Sequence, residues 1–320
     1  MNDKLRIAMV GAGSMANRVH YPSLASFPDV EMVAACDLNI SSLNDTADRY
    51  GITGRYTDYR KMIEDTAPNA VYVIGPPNNM YDIWVWCLQQ KLNLFIEKPM
   101  GISLHQARNL AYLAGVNDCL TQVGFQRRAC PMLARLHQEC LNRGPIVHAV
   151  CEFYKNELRP MLTAQGHMMD DAVHAIDTLR FLCGGEIVGI EPVTGRVGTP
   201  DINLIIALLR FDTGATGVLI NSWTSGRRVF RVQMHGNGIC AEVDPEGAGA
   251  LFADGDVNGV RFDTQVVADS DQFYVYGGFQ AKNREFIDGV KSHKQPPSCF
   301  ADALKTMEVA EKILAFDALK

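Results

Sequence analysis

No apolar run in this chain approaches the ~20 residues that a membrane-spanning helix needs, so no membrane association is expected. A basic balance is also missing: 30 Lys and Arg stand against 36 Asp and Glu, for a net charge of -6. Non-specific nucleic-acid binding requires a basic face and is therefore not expected either. Of the nine cysteines, none forms a Cys-x-x-Cys pair or stands with histidines at a zinc-site spacing. No metal is expected, and the thiols read as small, reduced hydrophobes. The start, Met1-Asn2-Asp3-Lys4-Leu5, has no signal-peptide apolar region, which makes the cytoplasm the expected address. Repeats, low-complexity tracts and long linkers are absent too. What remains is a globular composition, 47% apolar and 21% charged. At 320 residues the chain is too long for one ordinary core, so two domains are expected.

The first 124 residues alternate short apolar runs with helical patterns, the signature of a doubly wound parallel sheet, a Rossmann-type α/β domain. Leu5 to Val10 enters Gly11-Ala12-Gly13-Ser14-Met15-Ala16, a Gly-x-Gly-x-x-Ala turn between a strand and a helix. In that context Gly11 permits the tight turn, Gly13 lets backbone approach a pyrophosphate, and Ala16 allows close helix packing. The helix N-terminus, from Ser14 and Met15, attracts the phosphates. A second strand ends at Asp37, placed to accept hydrogen bonds from the adenosine ribose; Leu38 and Asn39 offer no cation for a 2′-phosphate. NAD is therefore expected, with NADP disfavoured. Ser41 is read as the cap of the next helix, with Gly51 as its stop. Gly75-Pro76-Pro77-Asn78-Asn79 breaks the chain before a helix over Tyr81 to Gln90. Leu94 to Ile96 then delivers Glu97-Lys98-Pro99 to a strand's C-terminal edge, where α/β sheets bind ligands. Ser103 and Gln106 have capping-box spacing.

Residues 125–320 read as an α+β domain for substrate binding and oligomerisation. A helix over Met132 to Asn142 leads to a strand from Ile146 to Tyr154, then to an acidic helix ending before Gly184-Gly185. From Ile187 to about Phe262 there is strand after strand, predicting a large, mostly antiparallel sheet; Phe279 to Val290 and Phe300 to Leu319 read as helices.

The order Gly-x-Gly-x-x-Ala, acidic second-strand tip, Glu97-Lys98-Pro99, Asp170-x-x-x-His174 closely resembles the Gfo/Idh/MocA oxidoreductases. Arg18-Val19-His20, Gly124-Phe125-Gln126-Arg127-Arg128 and Asp177 extend the resemblance over nearly the whole chain. One departure is Tyr81, where many members carry histidine. The resemblance implies a sugar, sugar-derivative or cyclitol substrate, a homodimer or homotetramer built through the C-terminal sheet, and a cis Lys98–Pro99 peptide.

Removing hydride from a secondary alcohol needs a base for the hydroxyl proton. His174 fits, because imidazole exchanges protons near neutrality. Asp170 lies one helical turn earlier, able to contact substrate or orient the ring, and the family pattern selects it over Asp171. Lys98 would stabilise alkoxide character on the reacting oxygen. The expected cofactor contacts are Gly11, Gly13, Ser14, Met15, Asp37, Pro76, Asn78, Glu97 and Lys98. The expected substrate contacts are Lys98, Gln126, Arg127, Tyr154, Asp170 and His174. Arg127 and Arg128 could instead bridge the domains, His167 could simply open a helix, and Trp223 is more simply core than a sugar platform. Two other readings stay open: a glycosidase or epimerase that retains NAD and oxidises only transiently, and a non-catalytic dinucleotide-binding regulator.

Overall fold

Six short strands carry the first half of the computed structural model, which describes residues 4–159 and 166–319. They are β1 (Leu5–Val10), β2 (Val30–Cys36), β3 (Gly54–Tyr56), β4 (Ala70–Val73), β5 (Asn93–Ile96) and β6 (Thr121–Val123). All pair in parallel, in the order β3-β2-β1-β4-β5-β6. Helices α1 (Tyr21–Ala25), α2 (Ile40–Tyr50), α3 (Tyr59–Thr66), α4 (Pro77–Gln89) and α5 (Leu104–Val116) make the connections. β4 is buried at every position, as a strand covered on both faces must be. The strand order reverses between β1 and β4, and this switch point opens a crevice beyond their C-terminal ends.

Local chemistry sets the helix ends. Asn39, not the expected Ser41, caps α2: its side chain accepts the Ser42 N–H at 3.1 Å. α4 starts at Pro77 rather than Tyr81, because proline at the first helical position lacks only an N–H that the helix does not use. Ser103 caps α5 as expected, accepting the Gln106 N–H at 3.3 Å.

The second sheet has eight strands: β7 (His148–Asn156), β8 (Ile187–Gly195), β9 (Leu204–Phe211), β10 (Thr216–Ser222), β11 (Thr224–Gly236), β12 (Ile239–Val243), β13 (Ala248–Ala253) and β14 (Val260–Asp263). Their order is β14-β13-β12-β11-β7-β10-β9-β8, antiparallel except for the β7–β10 pair. Burial alternates strictly along β10, and α6 (Pro131–Leu141) and α7 (Val173–Cys183) pack against the sheet. The chain finishes with α8 (Thr264–Ala268), α9 (Phe273–Tyr276), α10 (Phe279–Ser292) and α11 (Phe300–Ala318). Among the described residues, no helix is long and apolar enough to cross a membrane.

Two compact units result, and a single cut after residue 124 does not describe them. The first takes the chain up to Phe125 together with Phe273–Val275 and Phe279–Leu304; the second takes Gln126–Gln272, Tyr276–Gly278 and the residues from Lys305 onward. The correction rests on α10, whose Phe286, Ile287 and Val290 belong to the same buried cluster as Ile7, Met9 and Phe95. Arg284 and Lys291 on that helix both reach Asp29, and their hydrogen bonds hold its carboxyl well below the usual range.

Candidate active site

The glycine turn is dictated by space. Gly11 has φ +106°, and a Cβ there would lie 1.9 Å from the Ile74 carbonyl oxygen, so no other residue fits. Gly13 is the opposite case: a Cβ there would meet nothing within 4 Å, because the residue faces an open groove. That groove consists of two adjoining hollows at the sheet's C-terminal edge, of ≈ 670 Å³ and ≈ 450 Å³, which share Gly13, Ile74, Gly75 and Pro76. The larger runs past Gly11 to Asp37 and Asp58. The smaller runs past Ser14 and Met15 to Glu97 and Lys98. Asp37 is fixed by two backbone donors, Ala12 N–H and Asn39 N–H, each at 2.7 Å. Its carboxylate retains further acceptor positions, because two oxygens offer about four lone-pair sites. These residues fit a dinucleotide: Asp37 would hold a ribose, and bare Gly13 leaves room for a pyrophosphate. Asn78 is exposed and lines neither hollow. Because α4 starts at Pro77, Asn79 and Met80 face the groove instead. Tyr81 lines neither hollow, and its hydroxyl accepts a hydrogen bond from Asn109 at 2.7 Å, tying α4 to α5.

Beyond β5 the Lys98–Pro99 peptide is cis, as the resemblance implied. Lys98 is half-buried, whereas Glu97 is 7% exposed. One Glu97 oxygen lies 2.8 Å from His20 Nε2, and the other accepts the Lys98 N–H at 3.3 Å. Gly124 makes room for this carboxylate, since a Cβ there would come within 2.7 Å of Oε1.

In the second unit, Asp170 and His174 stand where a π-turn, Met168–Ala172, runs into α7. The wider turn sends Asp171, not Asp170, into the interior. Asp171 accepts hydrogen bonds from Lys155 and from Trp223 Nε1, each at 2.8 Å, so its chemistry is already committed. Asp170 remains half-buried and His174 is buried. Trp223 is core, 1% exposed, and its ring stacks on His167 at 4.3 Å. Among the described residues both His167 ring nitrogens are buried without a partner, and burial pushes the imidazole below its ordinary value. Asp177 accepts two hydrogen bonds from Arg128, one of them at 2.6 Å, and so belongs to the packing of α7.

Two of the expected substrate contacts have partners within the second unit. Tyr154 lies on the opposite face of β7 from buried Cys151 and Phe153, and its hydroxyl donates to Glu152 at 2.8 Å. Period-two alternation turns Lys155, the next residue, toward the π-turn in its place. Arg127 is buried, pairs with Glu246 at 3.2 Å and lies over the Phe230 ring at 4.1 Å. It bridges parts of one unit. Gln126 is buried, and its Oε1 lacks a partner among the described residues.

Residues 5–125 match the model of an oxidoreductase family with an NAD-binding Rossmann fold, GFO_IDH_MocA, and residues 143–239 match the model of that family's C-terminal domain. The chain belongs to the Gfo/Idh/MocA oxidoreductase family. It is 25% identical to the myo-inositol 2-dehydrogenase of Thermotoga maritima, over 91% of this chain and 90% of that one. It is 30% identical to inositol 2-dehydrogenase 4 of Saccharopolyspora erythraea, over 75% and 72%. The solved dehydrogenase from Chromobacterium violaceum superimposes with a TM-score of 0.90 at 20% identity, covering 99% of this chain and 96% of that one.

For this Gfo/Idh/MocA chain, the family's C-terminal model spans β7 to β11 and includes the π-turn and α7. Two residues at the sites escaped the sequence reading. His20 was visible only as part of Arg18-Val19-His20, with nothing to say that it would meet Glu97. Lys155 was legible: Ala149, Cys151 and Phe153 alternate as the buried face, which puts Lys155 inward and Tyr154 out.

Proposed function

We propose that this protein is an NAD-dependent dehydrogenase of a secondary alcohol on a sugar or cyclitol. The observation that carries the reading is the groove at the switch point, with Asp37 at one end and Lys98 at the other. The names of the inositol dehydrogenase relatives support the substrate class. Asp37 accepts the adenosine ribose hydroxyls and would repel a 2′-phosphate; Asp58, on the same hollow, adds to that repulsion. Backbone amides from Gly13 to Met15 receive the pyrophosphate. When bound, NAD supplies the hydride acceptor. Lys98 donates a hydrogen bond to the reacting oxygen and stabilises its growing negative charge. His174 takes the hydroxyl proton, while Asp170 orients the imidazole or holds a substrate hydroxyl. Gln126, whose buried carbonyl lacks a partner among the described residues, is retained as a polar contact to substrate.

Cytoplasmic location belongs to this proposal. So does assembly as a homodimer or homotetramer through the large sheet, where Val188, Val193 and Leu208 are exposed. The deciding experiment follows NADH absorbance with NAD or NADP over myo-inositol, scyllo-inositol, glucosides and anhydrosugars. Reduction of NAD by one of these, lost in Lys98→Met, is expected. Cleavage of an activated glycoside without net NADH would favour the NAD-retaining glycosidase, and dinucleotide binding with neither activity would favour a regulator.

A further inference from the structure

Arg18-Val19-His20 follows the glycine turn, and the chemistry proposed so far leaves His20 without a part. The residue is 1% exposed and is delivered by a π-turn, Ala16–His20. Single π-turns inside helices are rare and gather at functional sites. Here the turn buries Ala16, Val19 and His20 together, with the imidazole edge-on to Phe95 at 5.2 Å. Its Nδ1 lies 3.2 Å from Asn283 Oδ1, and Asn283 Nδ2 donates to Ser23 Oγ at 2.8 Å. Its Nε2 lies 2.8 Å from Glu97 Oε1, and Glu97 Oε2 accepts the Lys98 N–H at 3.3 Å. The chain Ser23–Asn283–His20–Glu97 is buried throughout and ends on the backbone of Lys98. Glu97 and Lys98 are also the residues that close the smaller hollow.

We propose that His20 is a positioning residue for Lys98. It holds the Glu97 carboxylate in one orientation, and that carboxylate fixes the Lys98 backbone at the smaller hollow, which would take the nicotinamide half of the cofactor. A buried histidine serving only the core would be satisfied by any acceptor. This one is held on one side by Asn283 and directs its other nitrogen at a carboxylate whose second oxygen meets the reactive lysine's own amide. The catalytic half of the proposal rests on the role given to Lys98; the clamp itself does not.

The clamp can be read without substrate or cofactor. In protein carrying 15N-lysine, the Lys98 amide is assigned as the peak lost in Lys98→Arg, and Glu97→Ala defines its shift with the hydrogen bond broken. His20→Leu should move the peak most of the way to that shift, and His20→Gln, which keeps a donor, should restore much of it. Should His20→Leu fail to fold, Asn283→Leu breaks the chain one link further away and should move the peak in the same direction. A peak that stays in place in the folded variant overturns the proposal. The kinetic arm uses whichever alcohol the NADH screen identifies. His20→Leu should lower kcat about 10²-fold, the scale of a reacting group displaced by about 1 Å, with NADH affinity unchanged and a larger deuterium isotope effect. A kcat that falls only with the folded fraction also overturns it. If no alcohol is turned over, the dehydrogenase reading fails, while the amide shift still decides the clamp.

Discussion

Lys98 and Asp37 occupy opposite ends of one groove, so their substitutions should separate chemistry from binding. Lys98→Met should lower kcat by about 10²–10³-fold, the usual loss when one donor to a developing oxyanion is removed. Fluorescence titration should show NADH affinity nearly unchanged. Asp37→Ala should do the reverse. It strips the acceptor from the Ala12 and Asn39 amides and from the ribose, so NAD should bind roughly tenfold more weakly, a loss of about 1.4 kcal/mol. Its advantage over NADP should shrink at the same time. His167 makes a prediction about pH. Burial lowers its folded pKa, so the folded state favours the neutral ring and the unfolded state, near ~6.5, takes up protons first. Stability from this group is therefore full above ~6.5 and falls as the pH drops toward the lowered value. His167→Phe should flatten the decline in melting temperature as the pH falls below ~6.5, and an unchanged slope would count against the buried neutral ring.

At the scale of elements, α7 is held by ion pairs as well as by apolar contact. Asp177 is buried and Arg128 only partly exposed, so Arg128→Met leaves a buried carboxylate without its main partner, at a cost of about 3–5 kcal/mol by urea denaturation. Adding Asp177→Leu should recover most of that loss. The same elements show what the sequence could and could not convey. β1, the glycine turn and Asp37 were legible because Gly11 has a steric reason and Asp37 a fixed place at a strand tip. Asn39 took the cap from Ser41 because neighbouring polar residues compete for one helix start, and composition does not choose between them. The π-turns were not legible: an extra residue in one turn leaves the apolar period nearly unchanged, yet it decided whether Asp170 or Asp171 faced inward. The pairing of Arg127 was not legible for a different reason. Its partner Glu246 is remote in sequence and becomes a neighbour only when β11 and the turn between β12 and β13 are assembled.

For the whole molecule, the important fact is that the first unit is not contiguous. α10 supplies Phe286, Ile287 and Val290 to its core and the cations that meet Asp29. A fragment of residues 1–125 should therefore lack cooperative melting and fail to bind NADH. Joining Phe279–Leu304 to it through a flexible linker should restore both. If the short fragment binds NADH with full affinity, α10 is an accessory and not part of the folding unit.

The position of α10 also puts a clock on biosynthesis. As the ribosome releases the glycine turn and the six parallel strands, the helix that completes their core has not yet been made. At ~5–20 residues per second, roughly 10–30 s pass between the emergence of β6 and that of α10. During that interval the apolar surface waiting for Phe286 and Ile287 is open to chaperones and to neighbouring nascent chains. Nucleotide binding should mature only once α10 has emerged, so a transcript truncated before α10 should yield a product for disposal, not half an enzyme.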